Sequence, residues 1–360
     1  MRRFSLSHSV QVLLFSILLI VALYYGRAFL VPLVFAGILS MLLLPVTERL
    51  EQYHFPKALA IVCADLLVVA VVAGIIGLIS WQITDLANNA AELESNITQK
   101  VEQLKQFIAT SLGVSAEEQQ QMLKKQQDAT SSIGQNIAGV FSFLGSILTD
   151  FLLVLIYIFL FLYYRNHLYS FVLKLVEKEK QEQARDVMEQ IEKTSRNYFS
   201  GLIMMIGCLW IMYGIGFSIV GAKSPIFFAI LCGILELVPF VGNLAGTTLA
   251  VLMNVAQGSD TSVLIGIVVT YAVVQFLQSY ILEPLVVGDK VRINPLFTIG
   301  GIVAGELIWG IPGMIMAIPL LGMTKIICDH IESLQPYGFL IGAEEKRKKK
   351  DIKNPLTKRG

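Results

Sequence analysis

Charge is scarce in this chain: 15% of its 360 residues are Asp, Glu, Lys or Arg, against 55% hydrophobic residues. With a mean hydropathy of +0.66, an ordinary soluble domain is excluded, because so few polar groups cannot cover a water-facing surface. Cysteine is scarce too. Cys63, Cys208, Cys232 and Cys328 are widely spaced and form no C-x-x-C pair, so they read as small buried hydrophobes rather than disulfide partners or metal ligands. Histidine is limited to His8, His54, His167 and His330, no two at metal-ligand spacing, and neither a metal nor a cofactor is expected. P-loop, nucleophile-elbow and zinc-protease motifs are all missing, which removes the basis for ATP hydrolysis or intramembrane hydrolysis. The chain is therefore not expected to be an enzyme, and a net charge of +1 gives no reason to expect a nucleic-acid partner.

What the sequence has is long apolar runs. Residues 10–25 and 29–46 form two spans joined at Gly26-Arg27, and 58–81 forms a third, each near the roughly 20 residues that a membrane helix needs. Met1-Arg2-Arg3 before an apolar run has the look of a signal peptide, but the run is too long and is read as a retained first span. Apolar positions Ile83, Leu86, Ala90, Leu93, Ile97, Val101, Leu104 and Ile108 recur every three or four residues in an otherwise polar segment. That spacing predicts a long helix leaving the membrane, with a second one starting at the capping box Ser115-Ala116-Glu117-Glu118.

A fourth span follows at 143–164, an amphipathic polar segment at 165–197, and a fifth span at about 198–220. The expected fold is all-α, a polytopic membrane protein with about six to eight membrane segments. Its expected regions are 1–83 (three spans), 84–142 (an extracytoplasmic helical arm), 143–164 (the fourth span) and 165–197 (a cytoplasmic helical segment). A core transport region at 198–325 and a basic tail at 326–360 complete the chain.

Lys and Arg near the span ends set the orientation. Arg2, Arg3, Arg49, Lys57, the seven basic residues of 165–197 and the run Lys346 to Lys350 assign one side as cytoplasmic, whereas 84–142 is rich in Asp and Glu. Both termini are thus expected in the cytoplasm of a cell with the protein in its inner membrane. Five crossings precede Lys223, so an odd number must follow. Either all three later apolar stretches span, or two of them are re-entrant hairpins flanking the continuous one at 262–282. The positive Asp289-Lys290-Val291-Arg292 crossing points to hairpins.

Those two stretches, 226–255 and 295–323, are each broken near the middle by Pro and Gly, and each break carries a carboxylate. The first break holds Glu236, Pro239, Phe240, Gly242 and Asn243; the second holds Glu306, Gly310, Pro312 and Gly313. Backbone freed from a helix within a bilayer must be received by protein or by an aqueous cavity, so paired breaks point to a transport site. An ordinary packed kink is the competing reading. Gln275 and Gln278 are helical neighbours on the intervening stretch and can offer uncharged hydrogen bonds to a polyol or to another helix. The carboxylates Glu236, Glu306 and Asp65 open a second possibility, a sodium or lithium/proton antiporter. A third reading is a scaffold built around the extracytoplasmic arm, without transport.

Several short motifs, in order and spacing, resemble the autoinducer-2 exporter (AI-2E) family of PerM-like permeases over nearly the whole chain. They are Leu237-Val238-Pro239-Phe240-Val241-Gly242, Glu283-Pro284-Leu285-Val286-Val287-Gly288, Asn294-Pro295-Leu296 and Gly305-Glu306-Leu307-Ile308-Trp309-Gly310-Ile311-Pro312-Gly313-Met314. Near the N-terminus, Phe29-Leu30-Val31-Pro32 and Pro56-Lys57-Ala58-Leu59-Ala60 also fit. Two positions depart from the family pattern: Asn294 stands where His is common, and Asn243 where Pro is common. The resemblance implies a permease that moves a small polar solute of the autoinducer-2 type through a lipid bilayer, without an ATPase motor. It also implies a homo-oligomer, with five subunits as the candidate number, and a proton or sodium ion as the candidate coupling ion.

Overall fold

The computed structural model describes residues 6–88, 95–96, 133–238, 241–287 and 293–343. Among them every regular element is helical, apart from one antiparallel bridge between Ile293 and Gly342. In chain order these are α1 (Leu6–Tyr25), α2 (Arg27–Gln52), α3 (Lys57–Asn88), α4 (Ile133–Tyr163) and α5 (Arg165–Lys174). After a 3₁₀ turn (Lys178–Lys180) come α6 (Gln181–Ile219), α7 (Pro225–Leu235), α8 (Val241–Ala256) and α9 (Thr261–Leu277). A π-helical segment (Gln278–Val287) leads to α10 (Pro295–Trp309), α11 (Ile311–His330) and α12 (Gln335–Ile341). Five stretches, formed by α2, α3, α6, α9 and α11, are long and apolar enough to cross a membrane, and α4 with α5 makes a sixth, bent by 67°. The all-α, polytopic architecture expected from composition is what forms. Most of the expected arm, including Ser115 and the stripe beyond Asn88, lies outside the described residues.

Helix α6 is the ruler of the molecule. Its 39 residues extend ~58 Å at ~1.5 Å per residue, well beyond the ~30 Å hydrocarbon layer. The polar segment expected to end at 197 and the span expected to begin near 198 are one continuous helix. Composition changes there, but no proline interrupts residues 181–219, so the backbone ladder runs through.

Helices α7 and α8 fold back on each other as an antiparallel hairpin. Gly246 lies against Cys232, and Gly242 against the Leu235 carbonyl. Entry and exit of this hairpin are tied together: the Lys223 N–H donates to Asn254 Oδ1 at 2.7 Å, and Ser259 Oγ donates to the same oxygen at 3.1 Å. That mouth sits just beyond Ile219, at one end of α6. With 11 and 16 residues, the two arms are ~17 and ~24 Å long, and neither crosses the layer alone.

Helices α10 and α11 make the second hairpin, turning on Gly310, whose φ of +64° is open to glycine at little cost. Gly305 and Gly313 meet backbone to backbone across it, and Gly301 faces Leu321. Its mouth is also closed, by the Asn294 N–H on the Ile341 carbonyl at 2.8 Å. The His330 carbonyl accepts from Gln183 Nε2, and the His330 ring lies 3.2 Å from Gln190 Nε2. Gln183 and Gln190 belong to the opposite end of α6 from Ile219. The two hairpins therefore open at opposite ends of α6, with α9 as the continuous span beside them, and α11 by itself has the length and apolarity of a full crossing.

Two buried clusters organise the packing. Ala36, Leu43, Ile61, Ala64, Ile158 and Leu162 join α2, α3 and α4, whereas Tyr213, Phe217, Phe228, Ile267 and Met316 join α6 to both hairpins and α9. Lipid tails are as apolar as these side chains, so association rests on close packing rather than on release of water. Glycines at the contacts supply that closeness. Exposed leucines and valines along α1 face outward, as a lipid-facing helix requires.

Candidate functional site

Apolar surroundings isolate one connected set of polar side chains, at the tip of the first hairpin. The Tyr213 hydroxyl on α6 donates to Asn243 Oδ1 at 2.5 Å. Asn243, in the first turn of α8, donates from Nδ2 to Gln275 Oε1 at 2.6 Å and to Gln278 Oε1 at 3.2 Å. Gln278 Nε2 then donates to Glu236 Oε1 at 2.5 Å. Every donor in the Tyr213–Asn243–Gln278 chain is directed toward the carboxylate, which acts as the terminal acceptor. Tyr213, Asn243 and Gln278 are buried, at 0%, 5% and 5% exposure.

Local sequence explains why these groups converge. Helix α7 stops at Glu236, its C-cap, and Pro239 cannot continue a helix. A carboxylate at a helix C-terminus faces the negative end of the helix dipole, so Glu236 depends on outside donors such as Gln278. Its second oxygen, Oε2, is buried without a hydrogen-bond partner among the described residues, an arrangement that costs about 1–3 kcal/mol. Gly242 lets the arms close: a Cβ there would collide with the Leu235 carbonyl, and Asn243 would be held away from α6. On the third side, α9 gives way to the π-helical segment at Gln278. Widened turns of this kind recur at functional sites, and here Gln275 and Gln278 both reach Asn243.

The structure thus brings together Glu236, Gly242, Asn243, Gln275 and Gln278. Pro239 and Phe240 lie outside the described residues. Gly310, Pro312 and Gly313 form the tip of the second hairpin, where Trp309 Nε1 donates to the Leu23 carbonyl at 3.0 Å. Glu306 sits on the exposed face of α10, apart from the polar network. Asp65 is half-buried on α3, with Oδ1 unpartnered among the described residues, and nearby Lys57 donates to the Tyr163 carbonyl at 2.6 Å. Sequence reasoning missed Tyr213. It lies 30 residues from Asn243 in an apolar run, where an aromatic reads as ordinary membrane packing.

An all-helical membrane bundle with broken helices has the architecture of a membrane transporter. The chain belongs to the AI-2E family transporter family, whose model matches residues 13–333. It is similar to "Putative transport protein YueF" of Bacillus subtilis (strain 168), 27% identical, with 84% of each chain covered. "Putative transport protein YrrI" of the same organism is 24% identical, covering 83% of this chain and 86% of its own. "Putative transport protein MT0215" of Mycobacterium tuberculosis is 25% identical over 80% and 79% of the two chains.

Proposed function

We propose that this permease exports a small polar metabolite of the autoinducer-2 type, recognised at the first hairpin tip by Asn243, Gln275, Gln278, Tyr213 and Glu236. The observation that carries this reading is the composition of the network. Four of its five side chains are neutral amides or a hydroxyl, and the one carboxylate already accepts from Gln278. A hydroxyl-rich solute exchanges hydrogen bonds with such groups without presenting a charge to the membrane interior.

Alternating exposure follows from two hairpins that open at opposite ends of α6. Movement of the first hairpin's tip, with α2, α3 and α4 as scaffold, opens the polar network to one side at a time. The basic residues near Gln183 and His330 support a reading in which that end and both termini face the cytoplasm, with the protein in the bacterial inner membrane. Glu306 supports a homo-oligomer, since a carboxylate on the outer face of α10 is better served by water or a neighbouring subunit than by acyl chains. The chemistry proposed is transport, not catalysis.

Flux from proteoliposomes loaded with candidate metabolites tests this reading. Export of a neutral polyol, lost in Gln278→Leu, supports it; equal export by wild type and Gln278→Leu contradicts the site. Proton movement, followed by dye on sodium addition, separates the antiporter alternative, and a flat trace with Glu236 intact excludes it.

A further inference from the structure

A second site lies away from the polar network, where the scaffold meets the tip of the second hairpin. A cavity of about 560 Å³ is lined by α2 (Arg27, Val31, Phe35), α4 (Asp150, Val154) and the start of α11 (Pro312). Its walls are apolar except at Arg27 and Asp150. Arg27 is the first residue of α2, at its connection to α1, and Asp150 faces the same cavity from α4, which runs beside α2 with Tyr157 against Phe29. Both charges therefore stand at the same end of the cavity, beside the α1–α2 connection. Val31, Phe35 and Val154 lie one to two turns deeper, so the cavity runs from a charged rim to an apolar interior.

We infer that this cavity binds a bilayer phospholipid with a zwitterionic ethanolamine headgroup. The Arg27 guanidinium takes the phosphate, the Asp150 carboxylate takes the ammonium, and one acyl chain fills the space against Val31, Phe35 and Val154. The pairing of opposite charges at the rim selects this occupant. An anionic lipid satisfies Arg27 but brings its net charge toward Asp150, and a single-chain fatty acid leaves Asp150 without a cation. Because Pro312 forms part of the wall, the bound chain packs directly on the hairpin tip and steadies it against α2.

Native mass spectrometry of the full-length protein, reconstituted in equal parts phosphatidylethanolamine and phosphatidylglycerol, reads this directly. Wild type is expected to retain phosphatidylethanolamine in preference to phosphatidylglycerol. Arg27→Gln is expected to reduce that retention about tenfold, the loss of one charge-assisted contact, and Val31→Trp to abolish it by filling the cavity. Leu13→Trp, on the lipid-facing side of α1, keeps wild-type retention. Equal retention of both lipids overturns the headgroup assignment. Unchanged retention in Val31→Trp, or equal loss in Leu13→Trp, overturns the location.

Discussion

Gln278 donates a 2.5 Å hydrogen bond to Glu236, tying the end of α9 to the tip of a hairpin 42 residues away in sequence. Through Asn243 the same amide is linked to Tyr213 on α6. Three elements are thus held by one chain of donors, and disturbing any member should register at the others.

Tyr213→Phe removes the first donor and leaves Asn243 Oδ1 buried without it. A loss of about 1–3 kcal/mol is expected, seen as a lower melting temperature of the detergent-solubilised protein. Tyr213→Phe combined with Gln278→Leu should cost less than the sum of the two, because they share Asn243. Strict additivity would show that the network is not a unit.

Glycines at the hairpin contacts differ from those elsewhere on the same helices. Gly313→Ala places a methyl group on the Gly305 carbonyl, whereas a Cβ at Gly300 meets nothing within 4 Å. Gly313→Ala is expected to destabilise by about 1–3 kcal/mol, and Gly300→Ala to be neutral or stabilising by about 0.5–1 kcal/mol, because alanine favours helix. Thermal unfolding of the two variants side by side decides it; equal melting temperatures would contradict the tight hairpin.

The opposed entry of the hairpins is a statement about sides. Asp260, just past the mouth of the first hairpin, and Glu332, just past the mouth of the second, are both exposed. In a background without native cysteines, Asp260→Cys is expected to react with an impermeant maleimide added outside intact cells, and Glu332→Cys only after permeabilisation. Labelling of both from one side would rule out opposed hairpins.

Arg165 and Glu51 form a 2.7 Å ion pair at the elbow between α4 and α5, with about a quarter of each side chain exposed. Removing either partner is expected to lower stability by roughly 1–3 kcal/mol while leaving flux per folded protein unchanged. A selective loss of flux in Arg165→Ala would move this elbow from scaffold to mechanism.

Much of this was legible in the sequence, because proline, glycine and charge act locally. Pro239 with Gly242, and Gly310 with Pro312, announced the breaks. Asn243, where proline is common in the family, stood out as a departure; in the structure it is the residue that bonds Tyr213, Gln275 and Gln278. Asn294, the other departure, caps α10, its Oδ1 accepting from the Leu296 N–H at 2.9 Å. Tyr213 was not legible, since nothing local marks which aromatic among many meets an amide across a helix interface. The unbroken course of α6 was hidden for a related reason: a change from polar to apolar residues reads as a boundary, although helix continuity depends on backbone bonds.

Flux from proteoliposomes containing Asn243→Leu tests the central claim most directly, because this change removes the links to Tyr213, Gln275 and Gln278 while keeping the branched shape of the side chain. The prediction is that export of small polar solutes per folded protein falls about tenfold or more. Export at the wild-type rate by that variant would contradict the assignment of the hairpin tip as the solute site.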